Sequence, residues 1–165
     1  MPKLSTQEQA EFLATPGILM RIAVVDASGG PTVTPIWFLH QDGDILFTPR
    51  LKSAWYKRIQ SDARVALCID EDRLPYRKVL VEGEATLVHA PGEDDAWRSQ
   101  YLAMAAKYVG DDAARQYVEN TINEPRALLK VSLESAKVST WRMPVEGEPQ
   151  MGIWASRYYQ PATRF

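Results

Sequence analysis

The chain has 165 residues, 45% of them hydrophobic and 24% charged, which is typical of one globular domain with a sizeable core. Its net charge of −2 argues against a protein that binds nucleic acid or an anionic membrane through a basic surface. The single cysteine allows no intrachain disulfide, no apolar run approaches the roughly 20 residues of a membrane span, and the N-terminus lacks the apolar core of a signal peptide, so we expect a cytoplasmic protein.

The first half of the chain predicts one short helix followed by a meander of β-strands. Ser5 and Glu8 have the spacing of a capping box, which predicts a helix over residues 6–14. Apolar and β-branched runs separated by turn residues predict strands over residues 18–25, 32–40 and 44–48. Pro35 has no amide donor, so we expect the second of these strands to lie at a sheet edge or to carry a bulge.

Positive charge is concentrated between residues 50 and 78, although the whole chain is slightly acidic. Eight of the 19 Lys and Arg residues stand there: Arg50, Lys52, Lys57, Arg58, Arg64, Arg73, Arg77 and Lys78. Of two hydroxyl residues here, Thr48 precedes a short helix predicted over residues 53–60, and Ser53 begins it and can cap it. Cations and hydroxyls bind phosphate oxygens, so this segment predicts either a phosphate site or a solvated basic surface.

The second half predicts further strands and a pair of helices. Alternating apolar residues predict a buried strand over residues 65–70, and a longer strand over 77–89 contains Gly83, which suggests a bulge or a close backbone approach. Helical spacing predicts helices over residues 93–109 and 111–121, interrupted at Gly110. The last predicted strands cover residues 127–133 and 137–141. The aromatic segment 143–165 is expected to pack on the body or on a second subunit.

About six or seven antiparallel strands with helical insertions predict a mainly β fold. A β-barrel is the favoured architecture, because closure removes exposed strand edges. Without any internal repeat or linker, residues 1–165 are expected to form a single domain.

Three blocks of sequence carry a resemblance to a known family. They are Phe47-Thr48 with Lys52-Ser53, Lys57-Arg58-Ile59 and Asp62-Ala63-Arg64-Val65; the run PYRKVLVEGEA at residues 75–85; and the run AKVSTW at residues 136–141. In order and spacing they resemble the split-barrel flavin-binding family typified by pyridoxamine 5′-phosphate oxidase, including its deazaflavin (F420)-using relatives. The resemblance covers residues 12–141 and implies a split antiparallel β-barrel that forms a homodimer, with the cofactor between the subunits. It also favours phosphate binding over a solvated surface for the basic segment.

The resemblance also implies roles for particular residues. The phosphate would be contacted by Thr48, Ser53 and Lys57. Arg77 and Lys78 would contact the phosphate or the polar edge of the ring, with Lys78 preferred because the two side chains point to opposite faces of a strand. The residues beside the ring would be Pro35, Ile36 and Trp37.

One departure from the family pattern leaves the cofactor open. Many relatives have a lysine where this chain has Trp55, so the charge that holds the phosphate would rest on Lys52, Lys57 or Arg58. FMN is the first choice of cofactor and F420 the alternative. Relatives close to the oxidase itself carry an Arg-x-His near the C-terminus that is absent here, so pyridoxamine phosphate is not expected as the substrate.

The remaining candidate residues favour structural roles. His40 and His89 stand far apart in the sequence and predict no metal site, and Cys68 is expected to be a core thiol. Trp37 and Trp55 have an alternative interpretation as core or interface residues. The helical aromatic stripe of Trp97, Tyr101 and Tyr108 predicts packing. No carboxylate pair suggests an acid and a base, so we assign no catalytic side chain.

The leading hypothesis is a flavin-dependent oxidoreductase that transfers a hydride to or from a small conjugated or heterocyclic substrate. The cofactor would supply the chemistry, and the protein would supply binding, orientation and electrostatics. The alternatives are an F420-dependent reductase and a non-catalytic flavin, haem or bilin binding protein.

Overall fold

The computed structural model describes residues 2–149, and its first helix, α1 (Thr6–Ala14), confirms the predicted capping box. The amide of Glu8 donates to Ser5 Oγ at 3.2 Å, and the amide of Ser5 donates to Glu8 Oε2 at 2.7 Å. Because these bonds satisfy amides that the first turn leaves free, the helix begins directly after Ser5. Phe12 and Leu13 are fully buried and attach the helix to the core.

Residues 2–149 form nine β-strands and four α-helices, so the fold is mainly β, as predicted. The strands are β1 (Met20–Val25), β2 (Pro31–Ile36), β3 (Leu39–Gln41), β4 (Asp44–Phe47), β5 (Arg64–Asp70), β6 (Lys78–Glu84), β7 (Thr86–His89), β8 (Leu128–Ser132) and β9 (Lys137–Trp141). The helices after α1 are α2 (Ala54–Ser61), α3 (Arg98–Val109) and α4 (Asp111–Asn120), and a 3₁₀ turn at Asp94–Trp97 precedes α3.

The strands form two antiparallel sheets. The order is β2-β1-β5-β6-β9 in the five-stranded sheet and β3-β4-β8-β7 in the four-stranded sheet. Pro35 predicts that its strand lies at a sheet edge or carries a bulge, and β2 does lie at an edge of the five-stranded sheet. The hairpin between β3 and β4 turns at Asp42 and Gly43, whose φ angles of 52° and 81° are both positive, as a type I′ turn requires.

Two of the predicted long strands each divide, and this raises the strand number above the predicted six or seven. The run over residues 32–40 becomes β2 and β3, and the run over residues 77–89 becomes β6 and β7, with the two halves in different sheets. At the first corner the Tyr108 hydroxyl accepts from the amide of Phe38 at 3.1 Å and donates to the carbonyl of Ile18 at 2.9 Å. Tyr108 therefore satisfies backbone groups where sheet pairing is interrupted.

Gly83 lies just before the second corner, where the backbone passes very close to another part of the chain. A Cβ at this position would lie 3.0 Å from Ala136 Cβ and 3.2 Å from Val131 Cγ1. The predicted close approach is therefore confirmed, because even a Cβ between β6 and the turn that contains Ala136 would be closer than an ordinary van der Waals contact.

The main core fills the space enclosed by the two sheets and α1. In β5 the inward residues Val65, Leu67 and Ile69 are buried, which confirms the alternation in the sequence. The expectation that Cys68 is a core thiol is wrong, because Cys68 alternates with these residues and lies half-buried on the opposite face of the strand. A second apolar cluster lies where α3 and α4 cover the four-stranded sheet. Its members include Trp97 and Tyr101, so the predicted packing role of the aromatic stripe is confirmed for these two residues.

The chain after β9 returns to α1 through Arg142. The Nε atom of Arg142 donates to Glu8 Oε1 at 3.0 Å, and both terminal nitrogens donate to the Glu148 carboxylate at 2.6 and 2.7 Å. Most of the segment predicted to pack on the body or on a second subunit, including Trp154, Tyr158, Tyr159 and Phe165, lies outside the described residues. Among residues 2–149, no helix has the length and apolar character needed to cross a membrane.

Candidate functional site

A cavity of about 370 Å³ lies between the end of β2, the loop after β4 and the helix pair α3–α4. Its size falls within the range of ordinary ligand pockets. The residues that line it are Thr34, Pro35, Ile36, Trp37, Thr48, Arg50, Ser53, Trp55, Tyr101, Tyr117 and Arg126. Within the described residues, its wall is therefore aromatic and cationic and contains no carboxylate, histidine or cysteine.

The aromatic wall is held rigidly by ring contacts. Trp37 follows β2 at the sheet corner and stacks on Tyr108, with ring centroids 5.0 Å apart and an interplanar angle of 4°. It also contacts the ring of Tyr117 at 5.1 Å. Trp55, in the first turn of α2, packs against Phe47 with a centroid distance of 6.2 Å. A planar ligand would therefore meet indole side chains whose positions are already set.

The two predicted hydroxyl residues both face this cavity from the loop between β4 and α2. Thr48 follows directly after β4, and Ser53 stands directly before α2. The side chain of Ser53 makes no capping hydrogen bond, so its hydroxyl is available to a ligand.

Backbone hydrogen bonds attach this loop to the segment before β8. The amide of Leu51 donates to the carbonyl of Pro125 at 2.9 Å, and the amide of Ala127 donates to the carbonyl of Pro49 at 3.1 Å. Between these bonds, Arg50 and Arg126 form an antiparallel bridge. The pairing therefore brings two arginines from distant parts of the sequence to one side of the cavity.

These two arginines supply the positive charge in the cavity wall. Arg126 is only 6% exposed, and its guanidinium lies over the Tyr101 ring, 4.7 Å from the centroid. Arg50 Nε lies 2.8 Å from Glu124 Oε2, an ion pair whose angles do not meet hydrogen-bond geometry. The sequence interpretation counted Arg50 in the basic segment but assigned neither arginine to the site.

Burial and the neighbouring charged and polar groups shift the pKa values of the two tyrosines in the cavity wall in opposite directions. Burial raises the pKa of the Tyr101 hydroxyl to about 12. Burial also raises the pKa of Tyr117, but the Tyr101 hydroxyl and the positive charges of Arg126 and Arg50 outweigh burial, so the pKa of Tyr117 lies below its usual value. Tyr117 is therefore the more acidic hydroxyl of the pair.

The structure brings one group of predicted site residues together and separates another. Pro35, Ile36, Trp37, Thr48 and Ser53 all line the cavity. The remaining predicted residues do not line it in the single chain: Lys52, Lys57, Arg58, Arg77 and Lys78.

The first three of these remaining cations lie on or near α2. Lys52 is 76% exposed and lies 3.7 Å from Glu124. Lys57 is exposed on α2, and Arg58 faces Asp26 at 3.8 Å. Their contact with a phosphate stays a prediction.

Arg77 and Lys78 lie at the start of β6, where other groups already contact them. Arg77 forms a two-pronged ion pair with Glu71, with Nε–Oε1 and Nη2–Oε2 distances of 2.8 Å, and its charge lies over the Phe12 ring. Lys78 Nζ lies 4.1 Å from the centroid of the Trp141 ring. Their predicted contact with a cofactor likewise stays a prediction.

Sequence reasoning missed Arg126, Tyr101 and Tyr117 as cavity residues. Arg126 stands alone between Pro125 and a buried strand, and such a position carries no pattern typical of a ligand site. Tyr101 belongs to the helical stripe that predicted packing, and the same ring both packs and faces the cavity.

Solved structures with the same fold are found among proteins of low sequence identity. A conserved hypothetical protein from Mycobacterium tuberculosis aligns with a TM-score of 0.71 and 23% identity, over 93% of this chain and 94% of that one. An FAD and haem binding protein from Mycobacterium smegmatis aligns with a TM-score of 0.64 and 17% identity, over 86% and 72%. An F420 reductase aligns with a TM-score of 0.56 and 23% identity, over 77% and 94%. At these identities the similarity shows a shared split-barrel fold.

No curated protein matches the chain. The family model of pyridoxamine 5′-phosphate oxidase matches residues 5–142, which is most of the 165-residue sequence. Together with the two antiparallel sheets and the split-barrel neighbours, this match shows that the chain belongs to the pyridoxamine 5′-phosphate oxidase family.

Proposed function

We propose that this chain is a flavin-dependent oxidoreductase that binds FMN in the cavity and acts on a small conjugated or heterocyclic substrate. The observation that carries the proposal is the convergence of Trp37, Thr48 and Ser53 on one cavity with a buried guanidinium. An aromatic wall suits a planar ring, and hydroxyl and guanidinium donors suit a phosphate. When bound, the flavin would supply hydride transfer.

The residues of the chain would then bind and orient the cofactor and the substrate, and they would exclude water from the cavity. Trp37, held by its stack on Tyr108, forms a flat wall with little freedom to move. The positive charge of Arg50 and Arg126 would hold the phosphate of the cofactor. Tyr117 would hold or release a proton in the cavity, because the Tyr101 hydroxyl and the nearby charges of Arg126 and Arg50 together outweigh burial and keep its pKa below the usual value.

The family fold supports F420 as the alternative cofactor. One structural neighbour is an F420 reductase, and Trp55 lines the cavity. An indole at that position enlarges the aromatic wall and leaves the positive charge to the arginines, an arrangement compatible with either phosphate-bearing cofactor.

A flavin-binding protein without turnover is the second candidate. The absence of a carboxylate, histidine or cysteine among the described residues of the cavity wall favours it over enzymes that need a side-chain base. Haem is less well supported, because His40 and His89 do not line the cavity and so place no imidazole there.

Absorption spectra of the purified protein mixed separately with FMN, F420 and haem test the proposal. We expect a stoichiometric complex with FMN, or with F420 as the alternative, and oxidation of a reduced nicotinamide or reduced F420 donor when an acceptor is added. Stoichiometric flavin binding without any turnover would establish the carrier instead, and failure to bind either cofactor would remove the basis of both functions.

A homodimer is part of the same proposal. On the outward face of the central strands of the five-stranded sheet, Ala23, Ala66, Cys68 and Leu80 form a strip of small or apolar residues. Charged residues flank this strip on the same face, namely Arg21, Arg64, Asp70, Lys78 and Glu82. An outward face of an antiparallel sheet is ordinarily polar, so this strip suits burial against a second copy.

A further inference from the structure

Arg126 is a buried cation in a segment that otherwise serves to connect α4 to β8. Its position is set by backbone bonds: its own amide donates to Asp94 Oδ1 at 3.0 Å, and it bridges to Arg50. The side chain is 7% exposed and faces the cavity, with the guanidinium over the Tyr101 ring. The ring contacts the flat face of the guanidinium, so the N–H groups of the nitrogens at the guanidinium edge do not bond to the ring.

Two of those nitrogens are unsatisfied. Among residues 2–149, neither Nε nor Nη2 of Arg126 has a hydrogen-bond partner, although both are buried. The Glu124 carboxylate lies 4.0 Å from Nη2, which is too long for a hydrogen bond. A buried charged donor without a partner is expensive, so in native proteins such a group is ordinarily completed by a ligand, an ion or an ordered water.

The positive charges around the cavity also outnumber the carboxylates that pair with them. Glu124 is the only carboxylate among residues 2–149 that forms an ion pair with Arg50, Lys52 or Arg126, and it serves all of them at 2.8, 3.7 and 4.0 Å. Asp94 contacts the backbone amide of Arg126 and offsets part of the excess. At least one positive charge remains without a counterion.

Hydroxyl groups complete an oxyanion site beside these cations. Thr48, Ser53 and Tyr117 line the same cavity as Arg50 and Arg126. Guanidinium edges and hydroxyls together match the several acceptor oxygens of a phosphate, which carries more charge than a carboxylate.

We propose that Arg126, together with Arg50, binds the phosphate of a phosphate monoester in this cavity. The assignment of that phosphate to the cofactor rests on the proposed function, whereas the oxyanion site rests on the structure alone. In this chain the charge would come from the segments around Arg50 and Arg126. Trp55 in the first turn of α2 carries no charge, and Lys57 is exposed on the same helix.

Binding of inorganic phosphate to the purified protein tests the site without any cofactor. Trp37 and Trp55 line the cavity, so tryptophan fluorescence reports occupancy at constant ionic strength. We expect saturable binding to the wild type and about 10-fold weaker binding to Arg126→Gln, because the substitution removes charge-assisted hydrogen bonds to the anion; a tenfold change corresponds to about 1.4 kcal/mol. Equal affinity of the two proteins, or no saturable binding to the wild type, would overturn the proposal.

Arg115→Gln is the matched control. Arg115 is an exposed arginine on α4, the helix that also carries Tyr117, and it does not line the cavity. The same chemical change there should leave phosphate affinity within about 2-fold of the wild type; an equal loss would mean that general charge, and not the site, binds the anion. If Arg126→Gln does not fold, as judged by near-ultraviolet circular dichroism, Arg50→Gln replaces it with the same expected loss.

Riboflavin, which is FMN without its phosphate, identifies the source of the phosphate. We expect wild-type protein to bind FMN more tightly than riboflavin, and Arg126→Gln to abolish most of that preference. An unchanged preference in the variant would overturn the cofactor assignment while the flavin function stands. Phosphate binding that depends on Arg126, in a protein that binds neither flavin, would support the oxyanion site and contradict the proposed function.

Discussion

Lys107 is a cation on α3 that the fold holds in largely apolar surroundings. Its amine donates to the carbonyl of Leu13 at 2.8 Å and lies 3.3 Å from the centroid of the Phe38 ring. Burial lowers the pKa of Lys107 to about 7. The unfolded chain therefore binds more protons than the folded chain between about pH 7 and the ordinary lysine value of 10.5, so this residue makes the fold more stable as the pH rises through that window.

Replacement of Lys107 by Met should remove this contribution to the pH dependence. The ring and the carbonyl favour the protonated amine, so we expect a loss on the order of only 1 kcal/mol in the rise of the unfolding free energy from pH 7 to pH 10. Urea denaturation at several pH values measures it. Lys57→Met, at an exposed position, should keep the wild-type slope, and an unchanged slope in Lys107→Met would show that the amine stays protonated in the folded chain.

At the scale of elements, the corners between the two sheets determine where the cavity forms. The chain leaves the five-stranded sheet after β2, and Trp37 at that corner becomes the wall of the cavity. The second corner, between β6 and β7, depends on the absence of a side chain at Gly83. Both corners are barrel features that allow one stretch of chain to serve two sheets.

Gly83→Val should destabilise the fold by about 2 kcal/mol, because overpacking forces neighbouring atoms apart. The nearest atoms are Ala136 Cβ and Val131 Cγ1, at 3.0 and 3.2 Å from the new Cβ. Urea midpoints measure the change. Adding Ala136→Gly in the same chain should recover part of the loss, and strictly additive effects of the two substitutions would contradict the close contact.

At the scale of the whole molecule, the outward face of the five-stranded sheet is the proposed dimer surface. Ala66 is exposed in the single chain and lies on β5, the central strand, between Ala23 of β1 and Glu82 of β6. A small residue at this position allows two sheets to approach closely, and a long charged side chain would prevent it.

Ala66→Arg should convert a dimer into a folded monomer. Light scattering during gel filtration measures the mass, and the wild type is expected at twice the mass of one chain. Ala54→Arg, the same change at an exposed position on α2, should remain dimeric. A monomeric wild type, or a dimeric Ala66→Arg protein, would contradict the proposed surface.

The order and type of the elements could be predicted because their signals are local. The capping box of Ser5 and Glu8 acts within one turn, and the alternation in β5 follows from a two-residue repeat. The division of two strands at the sheet corners could not be predicted, because a strand that bends keeps the same apolar pattern on both sides of the bend.

The family, the mainly β fold and the loop in which Thr48 and Ser53 stand could all be inferred from the amino-acid sequence. Which positive charges face the cavity depends instead on the packing of distant segments. Arg126 reaches it because its segment pairs with the loop after β4, while α2 turns Lys57 towards solvent. Local periodicity carries no information about such pairing, since it depends on how distant segments share one core.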